Sequence, residues 1–251
     1  MINLKNKVTL ITGGSRGIGE SCVRLFAAAG SEVAFTYISA EARKNKLIND
    51  MQSVSKVAAY KVDMESEVDI NKCVGDVVNE FGKIDVLVHN AGIWNDGDIT
   101  KMTLDHWEKL MRINLTSTFL FAKAVIPVMK KNNFGRIINI SSTAGQRGEA
   151  FHSHYAASKG GMISFTKSLA VELAAFNITV NSVAPGWVDT EMNDEVFADK
   201  NYMEKIRKDI PIGRIATAQD IAGPVLFLAS DLARHINGEI LNVNGGSVLC
   251  G

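Results

Sequence analysis

The chain has 251 residues, enough for one large domain or two small ones, and 46% are hydrophobic, ample for a sizeable core. Lys+Arg and Asp+Glu number 27 each, so the formal net charge is zero, which argues against a dedicated nucleic-acid surface. Cys22, Cys73 and Cys250 are scattered without metal-ligand spacing. No apolar run follows the first charges or is long enough to cross a bilayer, so a soluble cytoplasmic protein without membrane contact is the expectation.

Residues 7–12 read as a buried strand, followed by a glycine loop over 13–19 and a helix to about residue 29, with Gly30 as its stop. Strand, glycine loop and helix in this order make a phosphate-binding turn: the glycines let the backbone approach a pyrophosphate, and the helix N-terminus supplies N–H donors and positive dipole. Residues 32–37 form the second strand. In dinucleotide folds an acid near its end holds the adenosine 2′-hydroxyl of NAD. Here that end carries Tyr37, Ile38 and Ser39, with Glu41 slightly further on, while Arg16 sits in the glycine loop where it could face a 2′-phosphate. The pattern points to NADP(H), with NAD(H) as the alternative.

A polar helix is expected over 40–52, a third strand over 57–62 ending at Asp63, a helix over 65–81 closed by Gly82, and a fourth strand over 84–88 running into His89, Asn90, Ala91 and Gly92. Strands alternating with helices predict a doubly wound parallel sheet. Residues 103–131 read as one long helical region capped by Thr103 and kinked at Pro127, with Asn114 mid-run. Asn is a poor interior helix residue, so it either turns outward or bonds something useful.

Residues 136–140 are a strand leading into Ser141 and Ser142. A polar, glycine-containing loop follows, then a helix from Tyr155 to about residue 176. Tyr155 and Lys159 are four apart and share a helix face. A nearby ammonium favours a phenolate, and a phenol so tuned can exchange a proton with a carbonyl oxygen near neutral pH. Ser142, at a strand end, could hydrogen-bond the same oxygen. Both long helices are apolar on more than one face and read as buried, partly against another subunit. Residues 179–184 form the sixth strand, ending at 185–190. A charged stretch over 191–214, studded with Met192, Phe197, Tyr202, Met203 and Ile206, reads as a mobile helical flap over a site. A helix over 218–229 and a last strand over 239–243 complete a single domain.

Thr12-Gly13-x-x-x-Gly17-x-Gly19, then Asn90-Ala91-Gly92, Asn114, Ser142, Tyr155-x-x-x-Lys159 and Pro185-Gly186 occur in this order. The combination resembles the short-chain dehydrogenase/reductase family over essentially the whole chain. The resemblance implies a seven-stranded parallel Rossmann sheet with helices on both faces, and a homotetramer or homodimer packed through the two long helices. It implies that Tyr155 is the general acid/base, that Lys159 lowers its pKa and holds the nicotinamide ribose, that Ser142 orients the substrate carbonyl, and that Asn114 holds a water in a proton relay. Gly13, Ser15, Arg16, Ile18 and Gly19 match the pyrophosphate and 2′-phosphate loop, with Tyr37 beside it. Asp63 and Met64 match the adenine pocket; Asn90, Ala91 and Gly92 line the adenosine side; Pro185, Gly186, Val188 and Thr190 match the carboxamide site. No metal is implied.

Within the family the chain is most similar to bacterial 3-oxoacyl-[acyl-carrier-protein] reductases of fatty acid biosynthesis, through 134–142, 210–230 and 236–246. The implied reaction is reduction of a 3-oxoacyl thioester by NADPH. Basic residues that those enzymes often carry late in the Tyr155 helix are replaced by Val171 and Phe176, leaving Lys130 and Lys131 as a patch that could meet an acyl carrier protein. The 185–190 segment is equally typical of alcohol, sugar and hydroxysteroid dehydrogenases on this scaffold, and a nucleotide-sensing protein without catalysis is the remaining alternative. Trp94, His152, His154, Trp187 and the flap face the substrate side without naming a substrate.

Overall fold

The computed structural model describes residues 2–39 and 41–249; Cys250 lies outside the described residues. Strand β1 (Val8–Ile11) is buried along its whole length, as a strand covered on both faces must be. Helix α1 (Gly17–Ala28) leads to β2 (Glu32–Tyr37), and α2 (Glu41–Met51) to β3 (Val57–Lys61). Helix α3 (Glu67–Phe81) starts where the Ser66 side chain accepts from Asp69 N–H and ends at Gly82 in the left-handed region. Strand β4 (Val86–His89) follows.

The sheet runs β3-β2-β1-β4, so the chain begins in the middle, winds to one edge and returns. The carboxyl ends of β1 and β4 therefore meet at the point where the winding reverses, and a crevice opens there. Thr12 N–H bonds Val88 O at 2.9 Å across that junction.

Helices α4 (Leu104–Met111) and α5 (Ser117–Asn132) are joined by a single widened π-helical turn at Arg112–Thr116. Thr103 caps α4, accepting from His106 N–H at 3.2 Å. The expected kink at Pro127 is not where the helical register breaks: Pro127 lies within α5, and the break falls at the turn around Asn114. Strand β5 (Gly135–Ile140) is buried throughout. The polar loop expected after it contains a short helix, α6 (Thr143–Arg147), capped by Ser142. Helix α7 (Ser153–Leu173) continues into a 3-10 turn, Ala174–Phe176.

Strand β6 (Ile178–Pro185) is also wholly buried. After it β7 (Val188–Asp189) pairs with β8 (Ala216–Thr217), framing α8 (Asp194–Ala198) and α9 (Lys200–Asp209), the two helices of the expected flap. Helix α10 (Ala218–Ala229) opens on a capping box between Thr217 and Asp220 and leads to β9 (Ile240–Val243). The full order β3-β2-β1-β4-β5-β6-β9 is the expected seven-stranded parallel sheet. One face is covered by α1, α2 and α10 through Phe26, Leu47, Ile221 and Val225, the other by α3, α5 and α7 through Ile70, Val77, Phe121 and Leu173. Among the described residues no helix is long and apolar enough to cross a membrane.

Candidate active site

The glycine loop leaves β1 at Thr12, whose hydroxyl accepts from the N–H groups of Asn90 and Ala91 at 3.0 and 2.9 Å. Asn90 returns the contact, its Nδ2 donating to Thr12 O and Gly13 O at 3.0 and 3.1 Å. Loop and β4 end are thus stitched into one surface. A Cβ at Gly19 would lie 2.1 Å from Gly13 O, so only glycine lets α1 start this close to the loop. The N-cap of α1 is Arg16, which is exposed and makes no side-chain capping bond, so the first N–H donors of the helix face the crevice uncapped. This cradle fits a pyrophosphate.

At the end of β2 the Tyr37 hydroxyl donates to Glu41 Oε1 at 2.9 Å, and Lys44 pairs with the same carboxylate at 2.8 Å. The side-chain hydrogen bonds from Lys44 and Tyr37 hold the Glu41 carboxyl below its usual range. Asp63 is exposed, with Oδ1 accepting from Glu65 N–H at 2.9 Å, and Met64 packs on the apolar layer below.

A cleft of about 130 Å³ lies beside the cradle and brings together Ile18, Asn90, Gly92, Ser142, Tyr155, Lys159, Pro185, Gly186, Val188 and Thr190. Gly13, Ser15, Arg16, Gly19, Tyr37, Asp63, Met64 and Ala91 lie outside its lining, along the cradle and the ends of β2, β3 and β4, and Asn114 lies behind the wall. The Ser142 Oγ accepts from Ala144 N–H at 3.1 Å, so its own proton can be donated to the Tyr155 oxygen, a bond that opposes the rise in the phenol's pKa. Ser141 points away into the sheet, donating to Val183 O at 3.1 Å and bonding Ser182 at 2.7 Å.

Lys159 is buried and donates to Ile140 O at 2.8 Å, with Nζ 5.8 Å from the centre of the Tyr155 ring. Burial pulls its pKa down to about 8. The Tyr155 phenol is pushed up to about 12 by burial, against the Ser142 hydrogen bond and with a small push from Glu149. The ammonium gives one of its three donors to Ile140 O, and burial is the largest influence on the phenol in the unliganded cleft. Tyr155 is held as an acid.

Asn114 resolves the choice left open by its helical position. Its Oδ1 accepts from Ile93 N–H at 2.8 Å and its Nδ2 donates to Ile93 O at 2.9 Å, so one amide pairs with a backbone as a strand would. A second Nδ2 contact reaches Ser158 Oγ at 3.3 Å. A Cβ at Gly92 would meet Asn114 Oδ1 at 3.2 Å and Lys159 Nζ at 3.5 Å, so these two polar groups converge on the backbone of Gly92.

The outer wall is aromatic. Trp94 stacks on His152 with centroids 4.4 Å apart and meets Trp187 edge-on at 6.2 Å, and Trp187 meets Phe197 of α8 at 6.0 Å. His154 does not face the cleft with them: it bonds Asn95 Oδ1 at 3.0 Å beside His106. Sequence reasoning passed over Thr12, Ile93, Ile140 and Glu149 as site residues. Thr12 carried a signal, opening the glycine motif; Ile93 and Ile140 act through backbone atoms, which no side-chain pattern reveals.

A phenolic acid sharing a cleft with a dinucleotide cradle, at the switch point of a doubly wound sheet, defines an NAD(P)-dependent oxidoreductase acting on C=O and CH–OH groups. Residues 13–247 match a family model described as enoyl-(acyl carrier protein) reductase. The chain is 41% identical over 247 residues to the 3-oxoacyl-[acyl-carrier-protein] reductase of Aquifex aeolicus, covering 98% of each chain. It is 39% identical over 250 residues to the Escherichia coli reductase of the same name, again with 98% of each covered. Acetoacetyl-CoA reductase of Shinella zoogloeoides is 41% identical over 241 residues, spanning 96% of this chain and 98% of that one. The crystal structure titled gox2181 superposes with a TM-score of 0.91 at 30% identity, covering 98% and 96%. The chain belongs to the short-chain dehydrogenase/reductase family.

Proposed function

We propose that the protein reduces the 3-oxo group of an acyl thioester to a secondary alcohol, with NADPH as reductant. The observation that carries this reading is the Ser142–Tyr155 pair: a phenol kept protonated by burial and a hydroxyl that donates toward it, both lining one cleft. Two neighbouring hydroxyl groups that can turn their protons onto a bound carbonyl oxygen suit a carbonyl becoming an alkoxide. The full-length relatives named for 3-oxoacyl and acetoacetyl thioesters support the substrate class.

With its pyrophosphate in the cradle and its carboxamide beside Pro185, Gly186, Val188 and Thr190, a reduced dinucleotide would supply the hydride for the carbonyl carbon. Tyr155 gives its proton to the carbonyl oxygen, Ser142 holds that oxygen, and Lys159 stands beside the phenol with its Nζ 5.8 Å from the ring centre. Asn114 acts through Ile93, fixing the segment after β4 that lines the cleft. The cradle holds the pyrophosphate and Asp63 and Met64 the adenine side. Pro185, Gly186, Val188 and Thr190 serve the carboxamide side.

Preference for NADP(H) rests on the exposed Arg16 and on Glu41, whose carboxylate is already committed to Tyr37 and Lys44. Lys130 and Lys131 at the end of α5 are the proposed face for an acidic acyl carrier protein, although Lys130 also stands over the Phe176 ring at 4.2 Å. Exposed Phe119 and Val171 on α5 and α7 support assembly as a homodimer or homotetramer through these helices. The free, buried Cys22 and Cys73 suit a cytoplasmic setting.

The test is NADPH oxidation with acetoacetyl-CoA, run beside crotonyl-CoA and a panel of simple ketones and sugars. Turnover of acetoacetyl-CoA alone supports the proposal. The family description favours one second reading, enoyl reduction, and crotonyl-CoA as the preferred substrate would establish it. Preference for the ketone panel would move the protein to the alcohol and sugar dehydrogenases.

A further inference from the structure

The segment after β4 alternates sides. Ile93 is held by Asn114, Asn95 Oδ1 accepts from His154 Nε2 at 3.0 Å, and Gly97 N–H donates to Phe151 O at 2.7 Å. With these three pinned to the protein, Trp94 and Asp96 face the other way, as alternate residues of an extended chain do. Phe151 makes its bond from a φ of 62°, an outlier for a bulky residue. Strain of this kind persists where the surroundings over-determine it, so the clamp on Gly97 is a fixed one.

Trp94 stacks on the ring of His152, and that ring is itself anchored: Nδ1 bonds Ala150 O at 2.9 Å and Nε2 lies 2.8 Å from Asp96 Oδ1. The indole Nε1 donates to Glu149 Oε2 at 3.4 Å, and its edge meets Trp187. The indole is therefore a fixed partition. On one side lies the cleft of about 130 Å³ with Ser142 and Tyr155; on the other lies an outer cavity of about 830 Å³ reaching Tyr202 and Ile206 of α9. Trp94 and Trp187 line both. The inner cleft is small against the about 300–1,000 Å³ of pockets that enclose drug-sized ligands, and the nicotinamide proposed above takes part of it. The outer cavity is acidic, with Asp96, Asp98, Glu149 and Asp209 set against Arg147 and Lys205. Like charge keeps a phosphate-bearing carrier arm out of it, so the uncharged acyl tail is what meets Trp94.

We propose that Trp94 sets the length of the acyl tail: the fixed indole stops the tail at the inner cleft and makes the protein selective for acetoacetyl-sized thioesters over longer ones. The inference rests on the thioester-reductase reading above.

The test compares kcat/KM for acetoacetyl-CoA and 3-oxooctanoyl-CoA in the full-length protein with NADPH. Wild type should favour the shorter substrate at least about a hundredfold, a discrimination that a single surplus methylene can impose in a closed pocket. Trp94→Ala joins the two cavities and should narrow that ratio about tenfold or more, chiefly through a lower KM for the longer substrate. Trp94→Phe keeps a ring at the partition and should keep most of the preference, and His152→Ala, which removes the stacking partner, should narrow it by less than Trp94→Ala. Both rates come from one preparation, so a partly folded variant leaves the ratio undisturbed; Trp94→Leu serves if the alanine variant does not fold. Equal use of both thioesters by wild type, or an unmoved ratio in Trp94→Ala, overturns the inference and leaves the reductase reading standing. Turnover of neither thioester overturns the reductase reading, and the inference with it.

Discussion

Replacing Asn114 with leucine removes a side chain of similar size and strips both hydrogen bonds from Ile93. Each abandoned backbone group costs about 1–3 kcal/mol when buried. Ile93 is half-buried, so water recovers part of this, and the long contact to Ser158 adds little. The expected loss is about 2–4 kcal/mol, which in a chain of this size lowers Tm by about 4–16 °C. Urea denaturation measures it as a lower midpoint at unchanged slope. Asn114→Asp sharpens the test. A neutral carboxyl can accept from Ile93 N–H and donate to Ile93 O; an ionised one sets charge against Ile93 O at a buried position. The folded pKa of that aspartate should therefore be raised, so its contribution is present at low pH and is lost as pH rises through the raised value. A leucine variant less than about 0.5 kcal/mol below wild type, small against the abandoned bonds, would refute the strut; so would an aspartate variant with no pH slope.

Gly19→Ala places a methyl carbon 2.1 Å from Gly13 O, so the loop must open; NADPH affinity should fall more than tenfold, read by fluorescence titration, and undiminished binding would count against the cradle. Lys159 gives a stability signature: the folded group releases its proton near pH 8 and the unfolded one near 10.5, so wild type should gain stability relative to Lys159→Met between those values. A constant difference across that range contradicts the burial penalty. Tyr155 acts oppositely, since the unfolded phenol ionises near pH 10 and the folded one near 12, so wild type should lose stability relative to Tyr155→Phe between them. Arg16→Ala should narrow the preference for NADPH over NADH in kcat/KM; a variant that keeps the full preference removes the role given to Arg16.

The sheet was legible because its strands alternate with helices and because glycines punctuate the first turn. The widened turn at Arg112–Thr116 was not: Pro127 is the louder signal along the chain, yet the register breaks at Asn114, whose partner Ile93 is distant in sequence. Helix α6 was hidden because five residues containing a glycine carry no period; its start is visible only in the Ser142 cap. The spacing of Tyr155 and Lys159 put them on one face, as observed, but could not tell that Lys159 reaches on to Ile140 O or that burial dominates the phenol. Periodicity reports faces, whereas pKa values depend on what the third dimension packs against them.

Strands β5 and β6 are buried at every position, and they deliver Ser142 and Pro185 directly from the deepest layer of the sheet. Substitution there is punished as misfolding before it can be sampled as new chemistry. The aromatic wall of Trp94, His152, Trp187 and Phe197 comes instead from connecting segments that the sheet does not need. Tolerance and intolerance of substitution are thereby assigned to separate parts of one cleft. The wall can be exchanged, and with it the molecule admitted, while Ser142 and Pro185 keep their places.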